Sequence, residues 1–327
     1  MAALRAQNDR PHEIAHIRSI RLLRSFDLER NRPIQAIGAG RTKERFARLR
    51  SLAQTNMSLA RLVEADADAR AIATELGISL IDPTVSYGVW AATGGRKLDV
   101  RHVDDGAVRV SGPQPWCGGA TIVSRALVVV DRDNTIDLID VETKGCRIDT
   151  SPWKAAAFSD LGTATVHFED THGHLLTAPI GDYSNRPGFW HGAIGVAACW
   201  AGGLQSLMDH YLGHWARVDD HSSAQLGAAV SELEQTTAIL EWAADEIDRD
   251  PADIVHARNR AEWVRYCIER SCTRAIDHLE IGAGPAPLVE TQTIIEKTQE
   301  LRIVLRQTHG LRDVENLGRT TLQRQTV

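Results

Sequence analysis

The chain has 327 residues, 43% of them hydrophobic, and a formal net charge of −6, which together predict a globular protein of about two domains. No stretch of roughly 18 uninterrupted apolar residues occurs, and the polar start lacks the apolar core of a signal peptide, so neither membrane insertion nor secretion is expected. The five cysteines form no CxxC pair, which favours free thiols in a reducing, cytoplasmic setting.

The first fifty residues are basic, with twelve Lys or Arg against five Asp or Glu. Ile17, Ile20, Leu23 and Phe26 recur at helical spacing among these arginines, and no aromatic stacking residues are interleaved. The pattern favours an amphipathic helix over a nucleic-acid-binding arm, so nucleic acid is not an expected partner. An acidic protein surface or a bound polyanion such as a nucleotide remains open for this face.

Residues 1–84 are predicted to form an N-terminal α-helical domain. Apolar residues keep a spacing of three to four from Arg41 to Leu80, with Ser58 as an N-cap and Gly77 as a stop signal. An Asp-Pro turn signal then closes the helical region.

Residues 85–185 are predicted to form a central β domain. Short β-rich runs separated by Gly, Pro and Asp are typical of a small antiparallel sandwich or barrel. The predicted strands are Tyr87–Ala92, Leu98–His102, Ala107–Ser111, Arg125–Asp131, Thr135–Val141, Cys146–Asp149 and Thr163–Phe168.

Residues 186–327 return to the helical period and predict an antiparallel four-helix bundle. Its first helix, Ile194–Trp215, is rich in Ala and Gly, so we expect it to be buried on most sides with close neighbours. The fold class is therefore α+β, with N-terminal helices, a central antiparallel β domain and a C-terminal bundle. The other predicted helices of the bundle are Ser222–Arg249, Ala252–Glu280 and Val289–Thr308.

No metal site is predicted from the histidines. His210 and His214 lie four apart on one helix, as zinc ligands can, but the glutamate of an HExxH motif is missing and a solvated helix face explains them. A hydrophilic loop explains His167, His172 and His174. The sequence also lacks a GxGxxG motif after a strand, a P-loop and a GxSxG motif, which argues against nicotinamide-dependent, kinase and hydrolase functions.

Four segments at the predicted domain junctions carry a further pattern. Ser86–Gly95 (SYGVWAATGG) opens the β domain, and Gly112–Gly119 (GPQPWCGG) precedes a buried strand. Arg186–Gly203 (RPGFWHGAIGVAACWAGG) enters the bundle, and Leu301–Gly310 (LRIVLRQTHG) ends its last helix. In this order the segments resemble the acyl-CoA dehydrogenase family of flavoproteins over most of the chain.

The resemblance implies a flavin that lies against the two β-domain segments and a substrate near the entry into the bundle. An aromatic ring such as that of Trp116 could cover the flavin, and pockets favour such junctions. The implied cofactor-binding residues are Tyr87, Val89, Trp90, Trp116, Cys117 and Gly118, and the implied substrate-binding residues are Phe189, Trp190 and His191.

The resemblance also implies a catalytic residue at the end of the last helix. Counting back from Gly310 places His309 where many family members carry the Glu that takes the α-proton of the substrate. An imidazole can also accept a proton at neutral pH. A His in place of this carboxylate is found as well in flavin monooxygenases built on the same fold, and a helix C-cap is a third interpretation.

The sequence departs from the family pattern at several positions. Trp90 replaces a hydroxyl residue, while Cys117 and Gly118 stand where Ile and Thr are usual. The Gln and the Arg-x-x-Phe-Gly segment that hold the adenine and pyrophosphate of FAD are missing. FAD is the expected cofactor from the resemblance, and FMN or no flavin remains open.

The sequence therefore predicts a flavin-dependent oxidoreductase that oxidises the α,β-bond of an acyl-CoA-like thioester or a related carbonyl compound. The alternatives are a reduced-flavin-dependent monooxygenase and a catalytically silent homologue that serves as a binding or assembly subunit. The nearly all-apolar stretch 194–208 predicts a homodimer or homotetramer. An electron-transfer protein is left open as a further partner.

Overall fold

The protein consists of two compact units, each with its own buried apolar core. The first unit comprises the chain up to Pro33 together with Arg61–Asn185, and the second comprises Ile34–Ala60 and the chain from Arg186 onwards. The computed structural model describes residues 18–92, 95–104, 106–132, 135–176, 183–216, 218–308 and 310–324.

The first unit is built on one sheet, and each predicted strand begins within about one residue of its expected start. The third and the seventh strands extend six and eight residues beyond their predicted ends. The strands are β1 (Tyr87–Trp90), β2 (Asp99–Asp104), β3 (Ala107–Cys117), β4 (Arg125–Arg132), β5 (Thr135–Glu142), β6 (Arg147–Asp149) and β7 (Ala164–Leu176). They lie in the order β1-β4-β5-β7-β3-β2, with β6 paired to β7.

One strand pair differs from the predicted antiparallel arrangement. Strand β1 runs parallel to β4, with Tyr87 opposite Arg125, whereas the other neighbouring strands are antiparallel. A parallel pair needs a long connection, and the β2–β3 hairpin lies in the chain between these two strands. Strands β1 and β2 end the order and do not pair with each other in the described residues, so the sheet is open and a closed barrel is not confirmed.

The described residues form nine helices, and the expected single last helix is divided. Thr291, with φ −112° and ψ 94°, leaves the helical region and separates two helices. None of the described helices is long and apolar enough to cross a membrane. The helices are α1 (18–30), α2 (Thr42–Thr55), α3 (Met57–Leu76), α4 (Pro187–Leu212), α5 (Asp220–Arg249), α6 (Ile254–Ala283), α7 (Ala286–Glu290), α8 (Gln292–Leu305) and α9 (Leu311–Arg324).

Two local details of the N-terminal helices differ from the sequence-based expectation. Helix α3 is capped by Asn56, whose Oδ1 accepts a hydrogen bond from the Leu59 N–H at 2.8 Å, and Ser58 is already inside the helix. Helix α1 buries Leu22 and leaves Leu23 37% exposed, so its buried face is rotated from the predicted one. The predicted stop of α3 is confirmed, since Gly77 takes a left-handed φ of 66°.

Helix α4 lies close to α2 because glycines remove side chains at their crossing. A Cβ on Gly202 would lie 2.2 Å from the carbonyl oxygen of Arg50 in α2. The neighbouring Gly203 leaves room for the side chain of Met57, the first residue of α3. The Ala- and Gly-rich sequence predicted such an approach. This packing places α2 with the C-terminal helices, whereas the predicted domain 1–84 groups it with α1 and α3; the three predicted domain boundaries stay a prediction.

Candidate functional site

The first candidate site lies in the first unit, where the ends of β1 and β3 are tied together. The indole Nε1–H of Trp90 donates to the carbonyl oxygen of Gly118 at 3.1 Å. The buried Gln114 side chain donates through Nε2 to the carbonyl oxygens of Trp90, at 3.3 Å, and Ala92, at 2.8 Å. These bonds hold two of the sequence-predicted flavin segments, around residues 90 and 118, next to each other.

Trp116 is turned outward by an irregularity at the end of β3. The register between β3 and β7 shifts between Gln114 and Cys117, and Trp116 takes a left-handed φ of 55°. Two prolines, Pro113 and Pro115, remove backbone donors from this stretch, which favours a bulge. The Trp116 side chain is consequently 64% exposed, and its ring is available to a ligand.

The two residues after Trp116 differ sharply in what they offer a ligand. Cys117 is fully buried, and its Sγ–H donates to the carbonyl oxygen of Gln114 at 3.2 Å; burial raises the pKa of its thiol to about 12. At Gly118 the described residues leave open space, since no atom lies within 4 Å of the position that a Cβ would occupy. Only the backbone of Cys117 can therefore meet a ligand, whereas a flat ring could approach Gly118 closely.

Tyr87 points into the core of the first unit. Its hydroxyl donates to Asp140 Oδ2 at 2.9 Å and accepts from the Asp82 N–H at 3.2 Å. Burial, with help from the Asp140 carboxylate, raises the pKa of Tyr87 to about 12, so the phenol keeps its proton at neutral pH. Val89, two residues on, is half-buried. The side chain of Tyr87 is thus occupied by a core network.

A cleft of about 380 Å³ opens beside Trp116, within the range usual for small-molecule sites. Trp153 forms another part of its wall, and its indole Nε1–H is fixed by the carbonyl oxygen of Ala157 at 2.8 Å. The other residues that line the cleft are Arg96, Pro115, Asp149, Pro152, Thr163, Ala164, Thr165 and His167.

The polar side chains of this cleft are largely without protein partners. Thr163 and Thr165 are each only 8% exposed, yet neither hydroxyl has a hydrogen-bond partner within the described part of the chain. The Arg96 guanidinium likewise has no hydrogen-bond or ion-pair partner among the described residues. The His167 ring makes no hydrogen bond there, but it interacts electrostatically with the Asp149 carboxylate. Neither Oγ1 is a fully buried atom, so a polar ligand or water that enters the cleft can reach both hydroxyls. Asp149 differs, because hydrogen bonds from Ser151 lower the pKa of its carboxyl and keep it ionised.

The second group of predicted residues lies at the start of α4, in the second unit. Phe189 and Trp190 make an edge-to-face contact with ring centroids 5.1 Å apart, and the Arg258 guanidinium lies 5.2 Å from the Trp190 ring centroid. His191 is 2% exposed, and its Nε2 lies 3.0 Å from the Pro251 carbonyl oxygen. The aromatic pair is half-buried, whereas the His191 ring is held inside the unit.

His309 lies outside the described residues, but the chain just before it is held by α6. Arg265 donates through Nη1 to the carbonyl oxygen of Ala193 at 3.0 Å and through Nη2 to that of Gln307 at 3.2 Å. Arg306 pairs with the buried Glu269 at 2.6 Å. Arg265 therefore connects the first turns of α4 to the residues that follow α8, two segments that the sequence associated with substrate and catalysis.

One described cluster could hold a metal ion by geometry. Ligand atoms of Asp250, Asp253 and His256 lie within 4.8 Å of one another at the surface. Asp253, however, already caps α6 by accepting hydrogen bonds from the N–H groups of Val255 and His256. The cluster is thus explained by helix capping.

Two features of this site are not predicted from the sequence. One is the row of polar side chains Thr163, Thr165 and His167 that lines the cleft, called here its polar floor, and the other is Gln114. Thr163, Thr165 and His167 alternate with Ala164 and Val166, and this period of two marks one face of a strand. The sequence predicts this strand, but it leaves His167 to a hydrophilic loop, and the face that the three side chains share is not identified as part of a site. Gln114 gave no signal, because its partners are backbone carbonyls on another strand.

No family model and no curated protein sequence matches the chain. Its structure is similar to that of dibenzothiophene monooxygenase TdsC from Paenibacillus sp. A11-2, solved with FMN and indole, at 12% identity and a TM-score of 0.73 over 97% of this chain and 98% of that chain. The KijD3 structure with FMN and a dTDP-linked sugar is 14% identical, with a TM-score of 0.68 over 94% of both chains. The nitrososynthase from Micromonospora carbonacea var. africana is 15% identical, with a TM-score of 0.71 over 86% of this chain and 82% of that chain. At this identity the likeness establishes the fold: the chain has the acyl-CoA dehydrogenase-like fold that these flavin-dependent enzymes share.

Proposed function

We propose that the protein is a flavin-dependent monooxygenase that binds FMN in the first unit. The observation that carries this proposal is the cleft beside Trp116, which is lined by that exposed indole and by the hydroxyls of Thr163 and Thr165. These hydroxyls make no hydrogen bond among the described residues, and the open backbone of Gly118 follows two residues after Trp116. The fold supports it, since TdsC and KijD3 were solved with FMN.

The residues present fit a flavin. An isoalloxazine ring is flat and aromatic, so it can stack on the Trp116 indole and approach the backbone at Gly118. The ribityl chain of a flavin carries hydroxyl groups, which match the hydroxyls of Thr163 and Thr165 and the ring nitrogens of His167. Tyr87 and Cys117 would contribute backbone only, because their side chains are in the core.

FMN fits the chain better than FAD. The sequence lacks the Gln and Arg-x-x-Phe-Gly segments that the resemblance associates with adenine and pyrophosphate binding. FMN carries neither an adenine nor a pyrophosphate, so it does not need them. FAD, expected from the resemblance alone, is retained as a competitor in the binding test below.

When bound and reduced, a flavin supplies the electrons that activate dioxygen, and the protein supplies binding, orientation and electrostatics. The chain's own contribution at this site is to brace the cofactor segments through Trp90 and Gln114 and to cover the ring with Trp116. A His at position 309 matches the monooxygenases of the resemblance, where the dehydrogenase glutamate is absent.

A second candidate is the acyl-CoA dehydrogenase-like oxidation of a CH–CH bond. It is favoured by the order and spacing of the four family-like segments, and it assigns His309 the role of α-proton base. The substrate would then be an acyl thioester or related carbonyl compound, and an electron-transfer protein would reoxidise the flavin.

Two measurements test the proposal in sequence. The purified protein is first titrated with FMN and FAD, and we expect FMN to bind more tightly, with quenching of Trp116 and Trp153 fluorescence. Failure of both flavins to bind contradicts the proposal and favours a catalytically silent homologue.

The complex is then followed under anaerobic and aerobic conditions. Butyryl-CoA, as a dehydrogenase probe, is expected to leave the oxidised flavin spectrum unchanged without oxygen. After chemical reduction and mixing with oxygen, reoxidation of the bound flavin is expected to differ in rate from that of free FMN. Anaerobic bleaching by butyryl-CoA would instead support the dehydrogenase candidate.

We also propose a homodimer or homotetramer in the cytoplasm. The exposed Trp242 and Trp263 on α5 and α6 contact each other edge-to-face at 5.0 Å, and such exposed aromatic pairs are more typical of interfaces than of free surface. All five cysteines are free, as expected in a reducing compartment.

A further inference from the structure

The cleft beside Trp116 has an uneven distribution of charge. Arg96 and Asp149 are the two residues of opposite full charge that line it. Asp149 accepts the Ser151 N–H at 2.9 Å and stays ionised at neutral pH. An anionic group would therefore be repelled near Asp149 and attracted to Arg96.

Arg96 is also available for such a contact. It is exposed and has no carboxylate or hydrogen-bond partner among the described residues, unlike Arg147 nearby, which pairs with Glu169 at 3.0 Å. A guanidinium presents paired N–H donors that match a phosphate in a bidentate way.

The spacing of the polar floor residues fits the ribityl chain, which joins the isoalloxazine ring of FMN to its phosphate. Thr165 and His167 are two apart on β7, so their side chains share one face and lie about 7 Å from each other along the strand. Asp149 lies opposite Thr165 in the β6–β7 register and could accept from a hydroxyl. The polar floor can therefore form hydrogen bonds with the hydroxyls of a polyol. Trp116 and Trp153 supply aromatic rings in the wall of the cleft, and Arg96 supplies its positive charge.

We infer that Arg96 contacts the single phosphate of FMN and that this contact makes the cleft select FMN over riboflavin. The inference rests on the proposed function, since it assumes that the cleft holds a flavin. It goes further by naming the group that distinguishes one flavin from another.

The test is a set of equilibrium titrations of flavin-free protein with FMN and riboflavin, followed by quenching of flavin fluorescence. The wild-type protein is expected to bind FMN about 10- to 100-fold more tightly than riboflavin, the usual size of a charged hydrogen-bond contribution. Arg96→Gln is expected to lower FMN affinity to the riboflavin level while leaving riboflavin affinity unchanged. Added salt should weaken FMN binding only in the wild type.

Lys97→Gln is the matched control, because it removes an adjacent exposed positive charge that does not line the cleft. It is expected to keep the preference for FMN. Equal affinities for FMN and riboflavin in the wild type, an unchanged preference in Arg96→Gln, or an equal loss in Lys97→Gln would each overturn the inference while flavin binding itself stands. If neither flavin binds the wild type, the proposed function fails and the inference with it.

Discussion

Replacement of Tyr87 by Phe tests whether this residue serves the core or the cofactor. The sequence resemblance made Tyr87 a flavin contact, but its hydroxyl donates to Asp140 at 2.9 Å inside the first unit. Asp140 is fully buried and also accepts from Arg125 Nε at 2.7 Å and from the Ile81 N–H at 3.0 Å. Tyr87→Phe removes one of these three bonds and also the acceptor of the Asp82 N–H, and it leaves the ring in place.

The expected cost is about 2 kcal/mol in the free energy of unfolding, since a hydrogen bond to a charged group contributes about 1.5–3 kcal/mol. It should lie toward the lower end because Asp140 keeps its bonds to Arg125 and Ile81. Urea unfolding followed by circular dichroism measures this cost. Tyr266→Phe is the matched control: the Tyr266 hydroxyl makes no hydrogen bond in the described part of the chain, so the change in stability should stay within about 0.5 kcal/mol.

Two further readouts separate the roles of Tyr87. FMN affinity should change less than twofold in Tyr87→Phe, because the side chain does not reach the cleft. The pKa of Tyr87 is raised from 10.0 to about 12 in the folded state, so between these values the folded protein keeps a proton that the unfolded chain loses. Wild-type stability should therefore fall as the pH rises through this window, and Tyr87→Phe should fall less. A tenfold loss of FMN affinity with unchanged stability would refute the core assignment.

Three more predictions address the site and the assembly. Gly118→Val should abolish most flavin binding with less than about 0.5 kcal/mol change in stability, because its side chain enters space that the described residues leave open; titration and urea unfolding check this. His309→Gln should keep FMN affinity and slow turnover about 10²- to 10⁴-fold, the usual contribution of a positioned acid or base, and unchanged turnover would remove His309 from the mechanism. Sedimentation should give a multiple of the 36.0 kDa chain, and a concentration-independent species of that mass would contradict the predicted oligomer.

The strands and long helices could be predicted because their signals are local. Alternation in 107–111 and the apolar run 126–130 marked β3 and β4, and both strands lie there. No local sequence pattern predicts that β1 pairs with β4 in parallel. This pairing depends on the path of the chain through the β2–β3 hairpin, which lies between the two strands in the sequence. The break at Thr291 was also missed, since a β-branched residue inside an apolar pattern does not by itself predict a helix end.

The placement of α2 shows a different limit. Its apolar spacing predicted a helix correctly, but not which core the helix joins. That packing depends on Gly202 of α4, which admits the backbone of α2 at Arg50. The sequence indicated that α4 would have close neighbours, but it did not identify them. Small residues allow another helix to approach closely, and they do not determine which helix does so.

At the candidate site, the family resemblance and the strand geometry provide different information about how a cofactor could be bound. The resemblance places the chain segment 116–118 near a flavin, but it does not say which side chains face the ligand. The bulge after Gln114 and the left-handed φ of Trp116 turn that indole outward and send Cys117 into the core. The departures from the family pattern then make physical sense, since a Cys suits a buried position and a Gly at 118 leaves the backbone accessible. The cofactor contact there is consequently expected to depend on shape and on the Trp116 ring, and the proposal assigns specificity to the polar residues of the cleft, above all Arg96.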